Sequence, residues 1–295
     1  RRLQADAFPH FGRKKIAEIT APMVLEAMRG VEARGAKTMA HEIRGHISEV
    51  FVWAISSGLA EADPAAMIRK ALSPAPKGRF AAVVTIPEAQ ELIRTIESHN
   101  GRRALVQTKL ASRLLALTAV RPGVLRVVRR EEFEDLKGQR PIWRIPAARM
   151  KLLKDQKQDK AYDFIVPLSK QAVATVEAAI KGAPDTTLLF PGVRGQTAIS
   201  DSTLSQLYLD AGYRGRHVPH GWRSSFSTIM NERASELERA GDREVIDLML
   251  AHIKGDVEAR YNRAAYMPRR REIAQEWADL LMEGLEPPAS LLKSS

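Results

Sequence analysis

The sequence predicts a mainly α-helical protein with two domains and a small β-sheet in the second. Apolar residues recur at helical spacing along most of the 295 residues. A basic stretch rich in proline interrupts that pattern after Leu72, and two short runs, "IWRIP" and "DFIVPL", are typical of strands. We therefore expect a helical domain at 1–72, a linker at 73–86 and a mostly helical domain at 87–295.

Three helices are predicted in the N-terminal domain. The first lies in "TAPMVLEAMRGVEARG", with Thr20 as its N-cap and Pro22 in its first turn. Its apolar face contains Val24, Leu25, Met28 and Val31. The second lies in "KTMAHEIRGHISEVFVWAISSG" and stops near Gly58. Its helically spaced apolar residues are Ile43, Ile47, Val50, Phe51 and Ile55. The third lies in "DPAAMIRKAL".

The second domain follows "SPAPKGRFAAVVTIPE", whose prolines, glycine and basic residues are typical of a linker. Helices are expected at 88–98 and 104–119, with a break at Arg121-Pro122-Gly123. The two strand-like runs flank a lysine-rich connection, which predicts a small sheet. Helices then return and continue to residue 282.

The charge of the chain favours a polyanionic partner. Lys and Arg total 46 against 35 Asp and Glu, for a net charge of +11. A membrane surface is the competing partner, but no apolar run approaches the roughly 18 residues of a span. The absence of cysteine excludes disulfides and thiolate chemistry. We expect a soluble, intracellular protein that contacts DNA or RNA, and from its start at Arg1 we expect a further domain upstream.

Arginine and histidine recur in separate stretches of the second domain. Arg121 lies at the break in "TAVRPGVL", and His220 and Arg223 are three residues apart in "HGWRSSFSTIMNE", so they share a helix face. Arginine can bind phosphate oxygens in a bidentate manner while histidine transfers protons. Each feature alone is explained as well by a solvated arginine or a histidine at a helix start.

The stretch "LAHIKGDVEARYNRAAY" adds a histidine and two tyrosines. His252 and Tyr261 are nine residues apart, so a single helix would place them on opposite faces. A break at Gly255-Asp256 would let both point into one site. Tyr266 follows Tyr261 by five residues, about 140° around a helix, so the two tyrosines cannot face the same group.

Taken in order, these stretches resemble the tyrosine recombinases. The additional "IPAARMK", "IVPLS" and "WADLL" resemble the prophage and genomic-island integrase branch, and residues 8–65 are similar to its core-binding domain. The resemblance covers nearly the whole chain. It implies a core-binding domain followed by the catalytic domain of that family. It also implies an enzyme that integrates or excises a mobile element through a 3′-phosphotyrosine and a Holliday junction, without metal, cofactor or ATP.

The resemblance also implies roles for single residues. Arg121 and Arg223 would bind the non-bridging oxygens of the scissile phosphate, and His252 would support that phosphate. Developing charge in the transition state is where such fixed donors act most strongly. His220 would assist proton transfer, and Tyr261 would be the nucleophile.

The remaining assignments concern Lys151 and Tyr266. Lys151, in "RMK" between the predicted strands, would protonate the departing 5′ oxygen, and Lys154 is the alternative because the lysine-rich loop leaves the register open. Tyr266 is predicted to be a packing residue.

One position departs from the family pattern. The family has an acidic residue three positions after the first arginine, and here that residue is Val124. "RVVRREEF" also places Val127, Val128 and Arg130 where small or aromatic residues are expected, and either Glu131 or Glu132 could compensate. Two alternatives therefore stay open beside the active integrase: a decayed integrase that only binds DNA, and a topoisomerase of type IB.

The implied partners are double-stranded DNA attachment sites, a homotetramer formed on DNA, an excisionase and a host DNA-bending protein. The chain would be cytoplasmic and associated with the nucleoid. We expect a C-shaped clamp around duplex DNA, with phosphate contacts from the N-terminal domain. The candidate DNA-contacting residues are Lys14, Lys15, Arg34, Lys37 and Arg44. The stripe Ile273, Trp277, Leu280 and Leu281 would dock either on its own domain or on a neighbouring protomer.

Overall fold

The computed structural model of the chain divides into two compact units, Arg1–Arg79 and Phe80–Ser295. The boundary falls inside the stretch predicted as a linker, 73–86. The mainly α-helical fold with a small sheet is confirmed. The structure describes residues 1–75, 78, 80–101, 104–193, 195, 197–252 and 266–293.

Unit 1 is helical. Its elements are α1 (Arg2–Asp6), α2 (Phe8–Phe11), a 3₁₀ turn (Ile16–Glu18), α3 (Ala21–Ala33), α4 (Lys37–Ser56) and α5 (Pro64–Met67). Thr20 is the N-cap of α3, as predicted. The Asp63 side chain caps α5 by accepting hydrogen bonds from the backbone N–H groups of Ala65 and Ala66, at 2.8 and 3.1 Å. The helix predicted in "DPAAMIRKAL" is therefore present but short.

The core of unit 1 lies between α3 and α4. The buried residues that the two helices contribute include Val24, Met28, Ile43, Ile47 and Phe51. Val50 and Ile55 lie at the edges of the α4 face, and they remain 44% and 39% exposed.

Unit 2 combines helices with one sheet. Its main elements are α6 (Ile86–Ser98), α7 (Val106–Thr118), α8 (Pro122–Arg126), β1 (Phe133–Glu134), β2 (Ile142–Ile145), β3 (Phe164–Pro167), α9 (Lys170–Gly182), α10 (Thr203–Asp210), α11 (Gly221–Glu236), α12 (Asp242–Met249) and α13 (Met267–Met282). Short 3₁₀ turns occur at Arg130–Glu132, Ala147–Arg149, Gln156–Gln158, Lys160–Tyr162 and Pro288–Leu292. No helix among the described residues is long and apolar enough to cross a membrane.

The sheet is antiparallel and ordered β1-β2-β3. Trp143 lies in its centre, opposite Phe133 on one side and Val166 on the other, and is fully buried. The predicted strands "IWRIP" and "DFIVPL" correspond to β2 and β3, and the lysine-rich stretch connects them.

Helix α7 runs through the core of unit 2, with every residue from Thr108 to Leu117 buried. Helix α13 packs against it, and the Trp277 indole N–H donates to the Ala116 carbonyl at 2.9 Å. Ile273, Trp277 and Leu281 are fully buried in this core, so the stripe predicted on this helix docks on its own domain. This arrangement fixes the C-terminal end of α7, where the candidate site begins.

Candidate active site

Arg121 lies at a turn between two helices. Helix α7 ends at Thr118, and Ala119 adopts a left-handed conformation (φ 47°) that turns the chain. Arg121 is the N-cap of α8, and its carbonyl accepts hydrogen bonds from the N–H groups of Val124 and Leu125, at 2.9 and 3.2 Å. Burial lowers the pKa of the partly buried Arg121 guanidinium. The backbone thus fixes the position of this arginine.

Arg223, in the first turn of α11, is held by its side chain. It is 6% exposed, and its guanidinium donates to the carbonyls of Ala119 (3.0 Å) and Leu250 (2.5 Å). The same Nη2 atom lies 3.0 Å from Nε2 of His252. Burial, followed by the charge of Arg121, lowers the pKa of Arg223 to about 10. Arg223 therefore keeps its charge at neutral pH in a largely dry position.

His252 follows α12 and orients Arg223. Because a guanidinium only donates hydrogen bonds, Nε2 of His252 must accept, which places the ring proton on Nδ1. Nδ1 lies 3.6 Å from the Asp247 carboxylate. Burial and the Arg223 charge lower the pKa of His252, against the opposing effect of Asp247. The neutral ring matches this arrangement.

His220 is the N-cap of α11, one turn before Arg223. Burial lowers the pKa of His220, and the charges of Arg223, Arg121 and His252 lower it further. Arg223 joins the four groups, since it lies three residues after His220, contacts His252 and donates to the Ala119 carbonyl two residues before Arg121. The structure thus brings together four residues that the sequence predicts as catalytic: Arg121, His220, Arg223 and His252.

The two arginines of the site have no carboxylate partner within the described part of the chain, and Asp247 is paired with His252 instead. The side-chain partners of Arg223 there are two carbonyls and a histidine ring, and the Arg121 side chain has no hydrogen-bond or ion-pair partner there. Two arginines held close together without a counter-ion repel each other. An incoming phosphate would relieve that repulsion and accept bidentate hydrogen bonds.

The turn that carries Arg121 is supported by a buried acid, which is Glu132 rather than Glu131. Glu132 is 7% exposed, and its carboxylate accepts from the Trp143 indole N–H (2.9 Å) and forms an ion pair with Arg149. Arg149 also donates to the carbonyls of Val127 (3.1 Å) and Val124 (3.5 Å). Arg149 thus links the buried Glu132 carboxylate to the backbone of this turn.

Val124 itself is 5% exposed in the core. Sequence reasoning did not identify Arg149, although "ARMK" places it two residues before Lys151.

Lys151 and Tyr261 are the remaining predicted catalytic residues. Lys151 and the alternative Lys154 are exposed in the connection between β2 and β3. Tyr261 and the predicted break at Gly255-Asp256 lie outside the described residues. The prediction that Tyr266 packs is wrong, because Tyr266 is 49% exposed at the N-cap of α13.

In unit 1, three of the basic residues predicted to contact DNA are exposed, namely Lys14, Lys15 and Lys37. Arg34 is also exposed but forms an ion pair with Asp6 at 2.5 Å. Arg44 is partly buried and donates to the Ala65 carbonyl at 3.3 Å, so part of its donor capacity serves the fold of unit 1.

The fold and the arginine–histidine cluster agree with the family to which the sequence is matched. Residues 83–267 match the Phage integrase family, and residues 1–71 match the Phage integrase central domain. The first match covers more than half of the chain, so the chain belongs to the Phage integrase family.

Individual proteins resemble the chain to different extents. The prophage integrase IntA of Escherichia coli K12 is 31% identical over 285 residues, which cover 95% of this chain and 63% of IntA. The chain thus spans less than two thirds of the length of this curated relative. Residues 75–356 of lambda integrase, solved as a dimer bound to a COC′ core site, superpose with a TM-score of 0.61 at 18% identity, covering 89% of this chain and 85% of that one. A lambda integrase tetramer bound to a Holliday junction gives 0.59 at 17% identity, covering 89% and 69%.

Proposed function

We propose that the chain is the core-binding and catalytic part of a site-specific DNA recombinase that integrates or excises a mobile element. The observation that supports this most is the convergence of Arg121, His220, Arg223 and His252, in which neither arginine is paired with a carboxylate among the described residues. Such a cluster suits a phosphodiester, and membership of the Phage integrase family indicates which chemistry follows.

In the proposed reaction, the Tyr261 oxygen attacks the scissile phosphorus and the P–O5′ bond breaks, which leaves a 3′-phosphotyrosine. Arg121 and Arg223 bind the non-bridging oxygens, where negative charge grows in the transition state. His220 assists removal of the tyrosine proton, and Lys151 delivers a proton to the departing 5′ oxygen. Attack by the 5′-hydroxyl of another strand then reverses the step and rejoins DNA.

The proposed assembly follows that of the relatives. Lambda integrase is found as a dimer bound to a core site and as a tetramer bound to a Holliday junction. We propose a homotetramer of this chain on attachment sites in duplex DNA, regulated by an excisionase and a host DNA-bending protein in the nucleoid. The exposed Lys14, Lys15 and Lys37 of unit 1 would contribute phosphate contacts.

A covalent-trapping assay tests the function. The protein is incubated with nicked duplexes that carry candidate attachment sequences, so that a cleaved strand diffuses away and the adduct persists. We expect an SDS-resistant adduct whose linked residue maps to Tyr261 by mass spectrometry. Tyr261→Phe should abolish the adduct because phenylalanine offers no oxygen, whereas the matched Tyr266→Phe should retain it.

The other outcomes identify the competing functions. An adduct that persists in Tyr261→Phe would exclude this nucleophile. Relaxation of supercoiled DNA without recombinant products would indicate a topoisomerase. Specific binding of an attachment site without any adduct would indicate a protein that only binds DNA.

A further inference from the structure

The first residues of unit 2 run along the start of α11. The N–H of Val218 donates to the Ala81 carbonyl at 3.1 Å, and the N–H of Val83 donates to Nδ1 of His217 at 3.1 Å. The Ser225 hydroxyl donates to the Val83 carbonyl. These hydrogen bonds attach residues 80–83, which we call the docking segment, to both sides of His220.

His217 can serve as this acceptor only while it is neutral. The ring is 1% exposed and lies 4.8 Å from the Trp222 ring between centroids, and burial lowers its pKa to about 3. Since Nδ1 accepts from Val83, the ring proton is on Nε2. The attachment of the docking segment therefore persists throughout the neutral pH range.

Phe80 brings the docking segment into contact with the proposed catalytic machinery. Its ring lies 4.3 Å from the His220 ring between centroids, at an interplanar angle of 44°. Phe80 is 59% exposed, so burial of its own surface in a core does not explain the contact. Its ring instead makes a tilted contact with the His220 ring, and such a contact occupies space that water or another imidazole orientation would need.

We propose that Phe80 is a positioning residue of the active site, and that the docking segment holds it against the His220 ring. The inference rests on the proposed function, because it concerns the histidine that would assist proton transfer. Phe80 itself does not touch the reacting atoms in this scheme. It acts by fixing the His220 ring and keeping it partly dry.

The pKa of His220 depends on how much water reaches its ring and on the charges around it. The charged or titratable groups that act on its ring within the described structure are Arg121, Arg223 and His252, and all three lower its pKa. Burial lowers that pKa further and is the largest cause. Removing the Phe80 ring would admit water to one face and raise the His220 pKa toward its ordinary value of 6.5. The neutral form that can accept a proton would then be lost at a higher pH.

The first test measures His220 directly, without any requirement for activity. The ring protons of His220, assigned by comparison with His220→Gln, are titrated by NMR in the wild type and in Phe80→Ala. We expect a higher His220 pKa in Phe80→Ala and a pKa close to the wild-type value in Phe80→Tyr, which restores the ring. Val84→Ala, at an exposed neighbouring position, is the matched control and should leave the pKa unchanged. An unchanged pKa in Phe80→Ala would overturn the inference.

The second test uses the rate of covalent adduct formation on nicked DNA as a function of pH. With His220 as proton acceptor, the rate falls about tenfold per pH unit below its pKa. We expect Phe80→Ala to shift this acid limb to higher pH, with a loss of several-fold near about pH 6 and little loss near about pH 8. Superimposable profiles for wild type and Phe80→Ala would also contradict the inference. A shifted NMR pKa in a protein that forms no adduct would refute the proposed function and leave the positioning contact standing.

Discussion

The turn around Arg121 and the start of α11 each present an arginine, but they hold it in different ways. Arg223 is fixed through its own guanidinium, which donates to two carbonyls and approaches His252. Arg121 is fixed through its backbone, while its guanidinium is left without a partner in the described structure. One arginine is therefore positioned before any ligand arrives, and the other retains its donors for the ligand.

The difference directs attention to the contacts that hold the backbone around Arg121. Because the turn around Arg121 is held by backbone contacts, any group that secures its carbonyls can support it. Arg149, paired with Glu132, does so at Val124 and Val127. The two regions are also joined directly, since Arg223 donates to the carbonyl of Ala119 at the beginning of that turn.

Lysine substitutions provide the strongest way to separate the two arginines. Lysine keeps the charge but loses the planar fork, so Arg121→Lys and Arg223→Lys should each reduce cleavage by about 10²–10³-fold. Only Arg223→Lys should also reduce stability, by about 1–3 kcal/mol, because it leaves the buried carbonyls of Ala119 and Leu250 without a donor. Adduct formation and denaturant unfolding measure the two effects.

Arg121→Lys is the matched variant, and its stability should stay within about 0.5 kcal/mol of the wild type. Equal destabilisation by both substitutions would show that the structural distinction between the two arginines is wrong.

Glutamate substitutions test the support of the Arg121 turn. Glu132→Gln leaves Arg149 without its ion-pair partner, so we expect stability to fall by about 1–3 kcal/mol and cleavage to slow by about tenfold as the turn loosens. The neighbouring Glu131 is exposed, and Glu131→Gln should change neither quantity measurably. If cleavage in Glu132→Gln stayed at the wild-type rate, the turn would not depend on this pair.

The sequence predicted the arginines and histidines of the site better than the residues that hold them in place. The stretches around Arg121, His220 and His252 could be recognised because each carries its functional side chains within a short motif. Phe80 could not be recognised, since the composition of 73–86 predicts a linker. Its segment is instead held by a hydrogen bond from the Val83 N–H to His217, 134 residues further along the chain. A contact of that separation leaves no periodic signal in a single sequence.

Helix α13 illustrates the same limit in another way. Its apolar stripe predicted a buried face but left open whether its own domain or a neighbouring protomer covers it, and only the packing of Trp277 against Ala116 decides that. Tyr266 was predicted to pack because the spacing from His252 assigned the nucleophile to Tyr261. The left-handed backbone of Tyr266 (φ 57°) at the N-cap of α13 instead leaves the side chain exposed.

Adding a single methyl group to a glycine compares the two regions, at Gly221 in α11 and at Gly123 in α8. A Cβ at Gly221, the first residue of α11, would lie 2.4 Å from the Ala81 carbonyl oxygen and 3.3 Å from the Ala82 Cα, so Gly221→Ala must displace the docking segment. A Cβ at Gly123, in α8, would meet nothing within 4 Å. We expect Gly221→Ala to lose about 1–3 kcal/mol of stability through overpacking, and Gly123→Ala to change it by less than about 1 kcal/mol, with stabilisation the favoured sign. Denaturant unfolding measures both.

Because Phe80 precedes the displaced residues, Gly221→Ala should also move the His220 pKa in the same direction as Phe80→Ala. A destabilised Gly221→Ala protein with an unshifted His220 pKa would show that Phe80 keeps its place without the docking segment.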